Sequence, residues 1–342
     1  MTGEVPNRDA WRAQVIEQPI DPEQPIIDPH HHIWPVVLYP GFEVYDVDAL
    51  LADKTASGHN IVATVFVEAS AQYRTEGPEH LRCVGETEFA DRVGREADRR
   101  GGRAAGLCAG IVAHADMMLG DAVEEVLGAH LQASDRVRGV RCLTAHDPDY
   151  EGSYGTQPGL LSHPQFRAGV RRLSPHGLSL DVWPMQSQLA EVADLAASSP
   201  ETTIVVNHVG GPMGIGRFAD GATESFAQWK EGMARLARHP NVVVKLGGLN
   251  MHFVTKLGPS PDAERPWSSE RTAQVQRRHL LTAIELFGPS RCMFESNFPV
   301  DRVAASATLI WNGFKRVVQD FSPNDKDALF HDTAARVYRL QD

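Results

Sequence analysis

Cysteine is scarce in this chain. Cys83, Cys108, Cys142 and Cys292 are its only four in 342 residues, and no two form a C-x-x-C pair. That spacing excludes a disulfide framework and reads as buried free thiols in a reducing compartment. Positive charge is also short: 33 Lys and Arg stand against 44 Asp and Glu, for a net charge of −11 with no basic stripe. A nucleic-acid partner is therefore not expected. No apolar run reaches spanning length, so no membrane segment is expected. Residues 1–24 are polar and Pro-bearing, without the apolar core of a signal peptide. Together these point to a soluble, cytoplasmic protein. A glycine-rich phosphate turn is missing too. Gly210-Gly211 lacks the third glycine and the ribose-binding acid that a dinucleotide fold requires.

What is present is an alternation. Hydrophobic residues make up 42% of the chain, enough for one large barrel or two medium domains. Runs of β-branched and apolar residues at 25–32, 60–68, 106–113, 137–143, 178–183, 202–208, 242–246 and 291–297 read as strands. Their interiors are almost wholly apolar, as parallel strands buried on both faces require. Segments of helical spacing follow each, from 47–57 to 303–318, and a helical tail covers 324–340. No composition break marks a second domain. We therefore expect a (β/α)8 TIM barrel over 25–342, with 1–24 as an arm or a cover over the barrel bottom.

Polar residues fall where these strands end. Ile26-Ile27-Asp28-Pro29-His30-His31-His32 closes the first strand, and residues two apart share a face, so His30 and His32 project together. Paired imidazoles make half of a metal or acid–base site. Other strands end on Glu68, His114, Arg141, Asp181, His208, Lys245 and Glu295/Asn297. In a parallel barrel such ends converge on one pocket. His208, before Gly210-Gly211-Pro212, reads as a site residue. Several of the others have two readings. Glu68 is either catalytic or an acceptor for loop amides. Arg141 is either a clamp for a substrate carboxylate or a partner for a buried acid. Lys245 is a ligand-binding or an ion-pair lysine, and Asp181 a site or a capping residue. His114 reads as a loop histidine.

Several of these segments are similar to amidohydrolase family 2. They are Asp28-Pro29-His30-His31-His32, Gly139-Val140-Arg141, Asn207-His208-Val209-Gly210-Gly211-Pro212, Asn241 to Leu249, Cys292 to Asp301, and Asp332 to Tyr338. That family includes 2-pyrone-4,6-dicarboxylate lactonase and sugar lactonases, with aromatic-acid decarboxylases more distant. The resemblance implies that the histidines of strands one and six either bind one divalent metal or polarise a substrate carbonyl without one. It also implies a strand-eight aspartate as general base, in a Gly-Ser-Asp-Trp-Pro pattern. This chain departs there: Glu295-Ser296-Asn297-Phe298-Pro299 puts Asn297 in the aspartate's place. An amide orients water but cannot accept a proton usefully. Glu295, two residues earlier and on the same face, is the first substitute, since burial raises a carboxylate's pKa. Glu68 and Asp301 are the others.

The expectation is a hydrolase of a small lactone, ester or amide, carboxylated or cyclic. His30, His32 and His208 hold a divalent metal such as Zn2+ or polarise the carbonyl directly. Glu295 or Glu68 manages the proton and Asn297 positions water. Arg141 and Lys245 hold an anionic group. Tyr150, Tyr154, His252 and Phe253, on the loops at 144–160 and 249–268, set specificity. The alternatives are metal-dependent decarboxylation of an aromatic or unsaturated acid, and a ligand-binding homologue without catalysis. A homodimer is the expected assembly from the frequency of twofold symmetry.

Overall fold

A computed structural model describes residues 8–38, 42–150 and 156–340. Eight parallel strands lie side by side in chain order. They are β1 (Pro25–His31), β2 (Asn60–Val67), β3 (Gly110–His114), β4 (Val137–Leu143), β5 (Ser179–Trp183), β6 (Ile204–Val206), β7 (Val242–Leu246) and β8 (Cys292–Phe294). Past the end of β8 the chain meets β1. His32 N–H donates to Phe298 O at 2.7 Å and Asn297 N–H donates to His30 O at 3.0 Å. The sheet thus closes into the expected (β/α)8 barrel, and it closes at the residues that carry the His-x-His pair. β6 and β8 are shorter than their apolar runs, because the backbone leaves the ladder where polar side chains begin.

Helices cover the outside. Val84–Arg100, Ala222–Ala237 and Ser269–Phe287 each bury one apolar face, with Ala90, Val93 and Ala97 on the first and Leu280, Ala283 and Ile284 on the last. This face packs on the outward side chains of the strands, such as Ile111, Val140 and Val244, to form the larger core. The inward side chains form a second core low in the barrel: Ile27, Val65, Val67, Val112, Val205, Val243 and Met293. Tyr338, Val337 and Ala334 of the last helix, Thr333–Val337 and the residue after it, pack against this core from the chain's far end. The C-terminal helix therefore supplies the barrel floor.

The beginning of the chain runs the other way. Arg8–Arg12 is a short helix. Arg8 donates to Val303 O, Trp11 to Ala263 O and Arg12 to Arg302 O. Those acceptors lie in loops that follow β7 and β8, so this helix packs beside the C-terminal ends of the strands rather than beneath the barrel. No helix among the described residues is long and apolar enough to cross a membrane.

Candidate active site

The site is assembled where β1 and β8 meet. The register of β1 against β2 shifts between Asp28 and His31, so the strand is not a regular ladder there. Asp28 stabilises the irregular segment. It accepts from Ser296 N–H at 3.0 Å and Ser296 Oγ at 2.5 Å, tying β1 to the end of β8. Burial pushes its carboxyl up to about 6, against the pull of the Ser296 hydrogen bonds. His31 turns away from the interior to Thr64 Oγ1 at 2.8 Å. His30 and His32 remain on the inner side, with their Nε2 atoms 3.3 Å apart.

His208 reaches the same place by a different route. Strand alternation would give the inward position to Asn207, two residues after the inward-facing Val205. Asn207 does point inward and donates to Asp181 Oδ2. His208 enters because its backbone turns left-handed, at φ 53°, as does Val209 at 54°. Such a conformation is strained for a β-branched residue and is maintained only by its surroundings. Asn297 uses the same device at φ 54°.

Glu295 lies between the histidines and is fully buried. Its Oε1 accepts from His208 Nδ1 at 2.7 Å and from His208 N–H at 3.1 Å, and its Oε2 lies 2.9 Å from His30 Nδ1. A carboxylate on Nδ1 sets the imidazole tautomer: Nδ1 carries the proton and Nε2 keeps its lone pair. His208 is thereby a base aimed by an acid. Glu295 positions it and does not line the pocket, which corrects the expectation that Glu295 itself meets the attacking water. Its Oε1 is taken by His208, and its Oε2 lies beside His30 without a hydrogen-bond partner among the described residues.

Two glycines make this approach feasible. A Cβ on Gly247 would lie 2.4 Å from Glu295 Cγ, and one on Gly248 would lie 2.4 Å from His208 Nδ1. Gly248 also sits at φ 65°. Sequence reasoning gave neither glycine a role in the site. Gly248→Ala is expected to displace His208 and lower kcat on the order of 100-fold while the far-UV circular dichroism stays unchanged. An unaltered kcat would show that His208 tolerates the shift.

The remaining charges pair with one another. Arg141 Nε donates to Glu68 Oε1 at 2.7 Å, and a second guanidinium nitrogen donates to Glu68 O. Lys245 is fully buried, 2.7 Å from Asp181 Oδ2. Asp181 also accepts from Tyr338 Oη at 3.0 Å. Lys245 is therefore an ion-pair lysine beneath His30, with its Nζ 3.3 Å from His30 Nδ1, and does not line the pocket. This corrects its expected role as a substrate clamp. The physical reason is depth: it lies one layer below the strand ends, facing the Asp181 carboxylate.

The pocket above is lined by His32, Glu68, Arg141, His208 and Asn297 at its polar base, and by Trp34, Phe42, Leu143, Trp183, Met251, Phe253 and Val300 around it. Its empty volume, open mouth included, is about 610 Å3. Asn297 Nδ2 donates to Asp301 Oδ1 at 3.0 Å, leaving Oδ1 without a partner among the described residues. Burial raises Asp301 to about 7, although it stands behind Asn297 and outside the lining. Two expected specificity residues fall elsewhere. Tyr150 packs edge-on to Trp183, behind the wall, and His252 Nδ1 donates to Gly258 O. Tyr154 lies outside the described residues. His114 is beside Tyr73, away from the pocket. Trp34, Phe42, Trp183 and Met251 escaped sequence reasoning, because aromatic and apolar residues at strand ends and in loops look the same whether they pack a core or face a ligand.

The histidines fit a divalent cation. Burial, joined by Lys245 and His208, holds His30 well below the ordinary histidine pKa; burial and Arg141 do the same to His32. Both are neutral near pH 7, the form that binds metal. His32 Nδ1 donates to Val67 O at 2.8 Å, so its Nε2 lone pair faces His30. Two nitrogens bound at 2.0–2.1 Å to one tetrahedral ion lie about 3.3–3.4 Å apart, which matches this pair. His30, His208 and Glu295 also have donor atoms within 4.8 Å of one another. That grouping exchanges the expected His32 for Glu295, since His208 turns its Nδ1 toward the carboxylate. Arg141 Nη1, 3.4 Å from His30 Nε2, is the alternative cation for the same lone pair.

The chain is similar to several known proteins. An uncharacterized protein of Sinorhizobium fredii, y4mH, is 32% identical over 333 residues, covering 92% of this chain and 98% of its own. An L-fucono-1,5-lactonase of Burkholderia multivorans is 31% identical over 176 residues, 51% of this chain and 56% of that protein. A crystal structure of an amidohydrolase from Burkholderia multivorans with bound zinc superposes with a TM-score of 0.69 at 24% identity, over 92% of this chain and 99% of that one. The amidohydrolase family model itself matches residues 27–340, from the first strand to the helix under the barrel. The chain belongs to amidohydrolase family 2 and is a hydrolase of that family.

Proposed function

We propose that the enzyme hydrolyses a small lactone or ester, with His208 as the general base. The observation that carries this reading is the buried Glu295 carboxylate 2.7 Å from His208 Nδ1, which leaves the Nε2 lone pair of a pocket-lining imidazole available. His208 Nε2 takes a proton from water as the water oxygen bonds to the acyl carbon. Asn297 Oδ1, unpartnered at the pocket base, accepts the water's other hydrogen and orients it. Arg141, held by Glu68, faces the pocket and stabilises the negative charge that develops on the carbonyl oxygen. The acyl C–O bond then breaks, and the proton on His208 passes to the departing alkoxide. In a lactone this opens the ring to a hydroxy acid.

His30 and His32, with Glu295 beside them, would hold a divalent metal such as Zn2+. When bound it supplies Lewis-acid polarisation of the carbonyl. Protein prepared without chelator is expected to carry about one equivalent of divalent metal per chain, and His32→Ala to lose most of it, by elemental analysis. Equal metal content in the two proteins would remove His32 from the site.

Turnover in H2(18)O tests the reaction class. Hydrolysis places one labelled oxygen in the product carboxylate. Release of CO2 without label would replace this reading with decarboxylation on the same scaffold.

A further inference from the structure

The base and the wall of this pocket differ in chemistry. The polar groups at the base are held for the reaction: His32 by Val67 O, Arg141 by Glu68 and His208 by Glu295, with Asn297 Oδ1 open to the attacking water. The wall above is mostly Trp34, Phe42, Leu143, Trp183, Met251 and Phe253. Separate parts of the chain supply these six: the end of β1 and its loop, β4, β5 and the loop after β7. Trp34 stacks on His32, with centroids 5.8 Å apart and planes 10° apart, and its indole N–H is spent on Glu43 O at 2.9 Å. Trp183 meets His208 edge-on at 5.6 Å. Each pocket histidine thus has an indole beside it, and the space next to the reacting carbonyl is bounded by carbon.

The cations are compensated as well. Glu68 neutralises Arg141 and Asp181 neutralises Lys245. Two acids matched to two bases leave no net positive charge for a substrate carboxylate, apart from what a bound metal supplies.

We infer that the substrate is an uncharged lactone or ester carrying an apolar, ring- or chain-shaped substituent, and that polyhydroxylated sugar lactones are poor substrates. This rests on the hydrolytic reading above. The physical reason is that a hydroxyl placed against indole, phenyl and thioether surfaces gives up its water and receives no partner. An alkyl or aryl group in the same space leaves water for a wall of its own kind.

Three δ-lactones distinguish the outcomes: δ-nonalactone with an alkyl chain, unsubstituted δ-valerolactone, and D-glucono-1,5-lactone. Their kcat/KM values are each divided by the hydroxide-catalysed rate of the same lactone, which removes intrinsic reactivity. The expected order is δ-nonalactone, δ-valerolactone, gluconolactone, with the first and last separated on the order of 100-fold. Met251→Gln narrows that ratio. Equal or preferred hydrolysis of gluconolactone overturns the inference while leaving the hydrolytic reading in place. If none of the three is hydrolysed, the hydrolytic reading falls, and binding of the same compounds, followed by the fluorescence of Trp34 and Trp183, decides the inference alone. Tighter binding of δ-nonalactone supports it, and equal or tighter binding of gluconolactone overturns it.

Discussion

His208→Ala is expected to lower kcat/KM for lactone hydrolysis by about 1,000-fold, within the range that removal of a general base produces. Glu295→Gln should approach the same loss. A glutamine retains one acceptor oxygen, so it can hold His208 Nδ1, but it removes the negative charge that favours the imidazolium formed during proton transfer. It also brings an amide N–H toward His30 Nδ1, where Glu295 Oε2 now lies at 2.9 Å. The two effects should be strongly non-additive. With His208 absent, Glu295 has no base to aim, so the double variant should resemble His208→Ala alone. Additive losses in that cycle would mean that Glu295 acts on substrate independently of His208. Glu68→Gln is a useful contrast, because Glu68 serves Arg141 rather than the base.

The largest stability effect is expected one layer lower. Lys245→Met leaves Asp181 fully buried with its charge uncompensated. Breaking one side of a buried pair costs about 3–5 kcal/mol. Tyr338 Oη and Asn207 Nδ2 still donate to Asp181, which favours the lower end of that range. Adding Asp181→Asn should recover roughly 1–2 kcal/mol, because the charge rather than the contact is the source of the loss. Urea unfolding followed by circular dichroism measures both. A double variant no more stable than Lys245→Met would show that packing, not charge, holds the layer together. The same substitution is expected to leave the apolar preference of the pocket in place, since Lys245 does not reach its wall.

The alternation of apolar runs and helical segments was sufficient to expect an eight-stranded barrel, because parallel strands buried on both faces have a composition that few other elements share. The polar residues at strand ends marked the catalytic face for the same reason: an apolar strand ends where its chain meets the pocket. His30 and His32 follow from two-residue alternation, and alternation also put Glu295 and Asn297 on one face. Alternation misleads at His208. It assigns the inward position to Asn207, and only a left-handed backbone at His208 and Val209 brings the imidazole in. A conformation unfavourable in isolation cannot be inferred from local preference, because tertiary contacts stabilise it.

What the chain's own residue order determines, then, is the barrel, the face on which chemistry occurs and the residue types available there. Those are consequences of periodicity and of apolar burial, which act over a few residues at a time. Only the tertiary structure decided which charges pair. Lys245 meets Asp181, Arg141 meets Glu68 and Glu295 meets two histidines, across separations of 64, 73 and as many as 265 residues. Pairing of buried charges depends on depth in the barrel, and depth depends on strand stagger and closure, which no single segment encodes. The same closure brings Trp34, Trp183 and Met251 around one opening and gives the pocket its apolar wall.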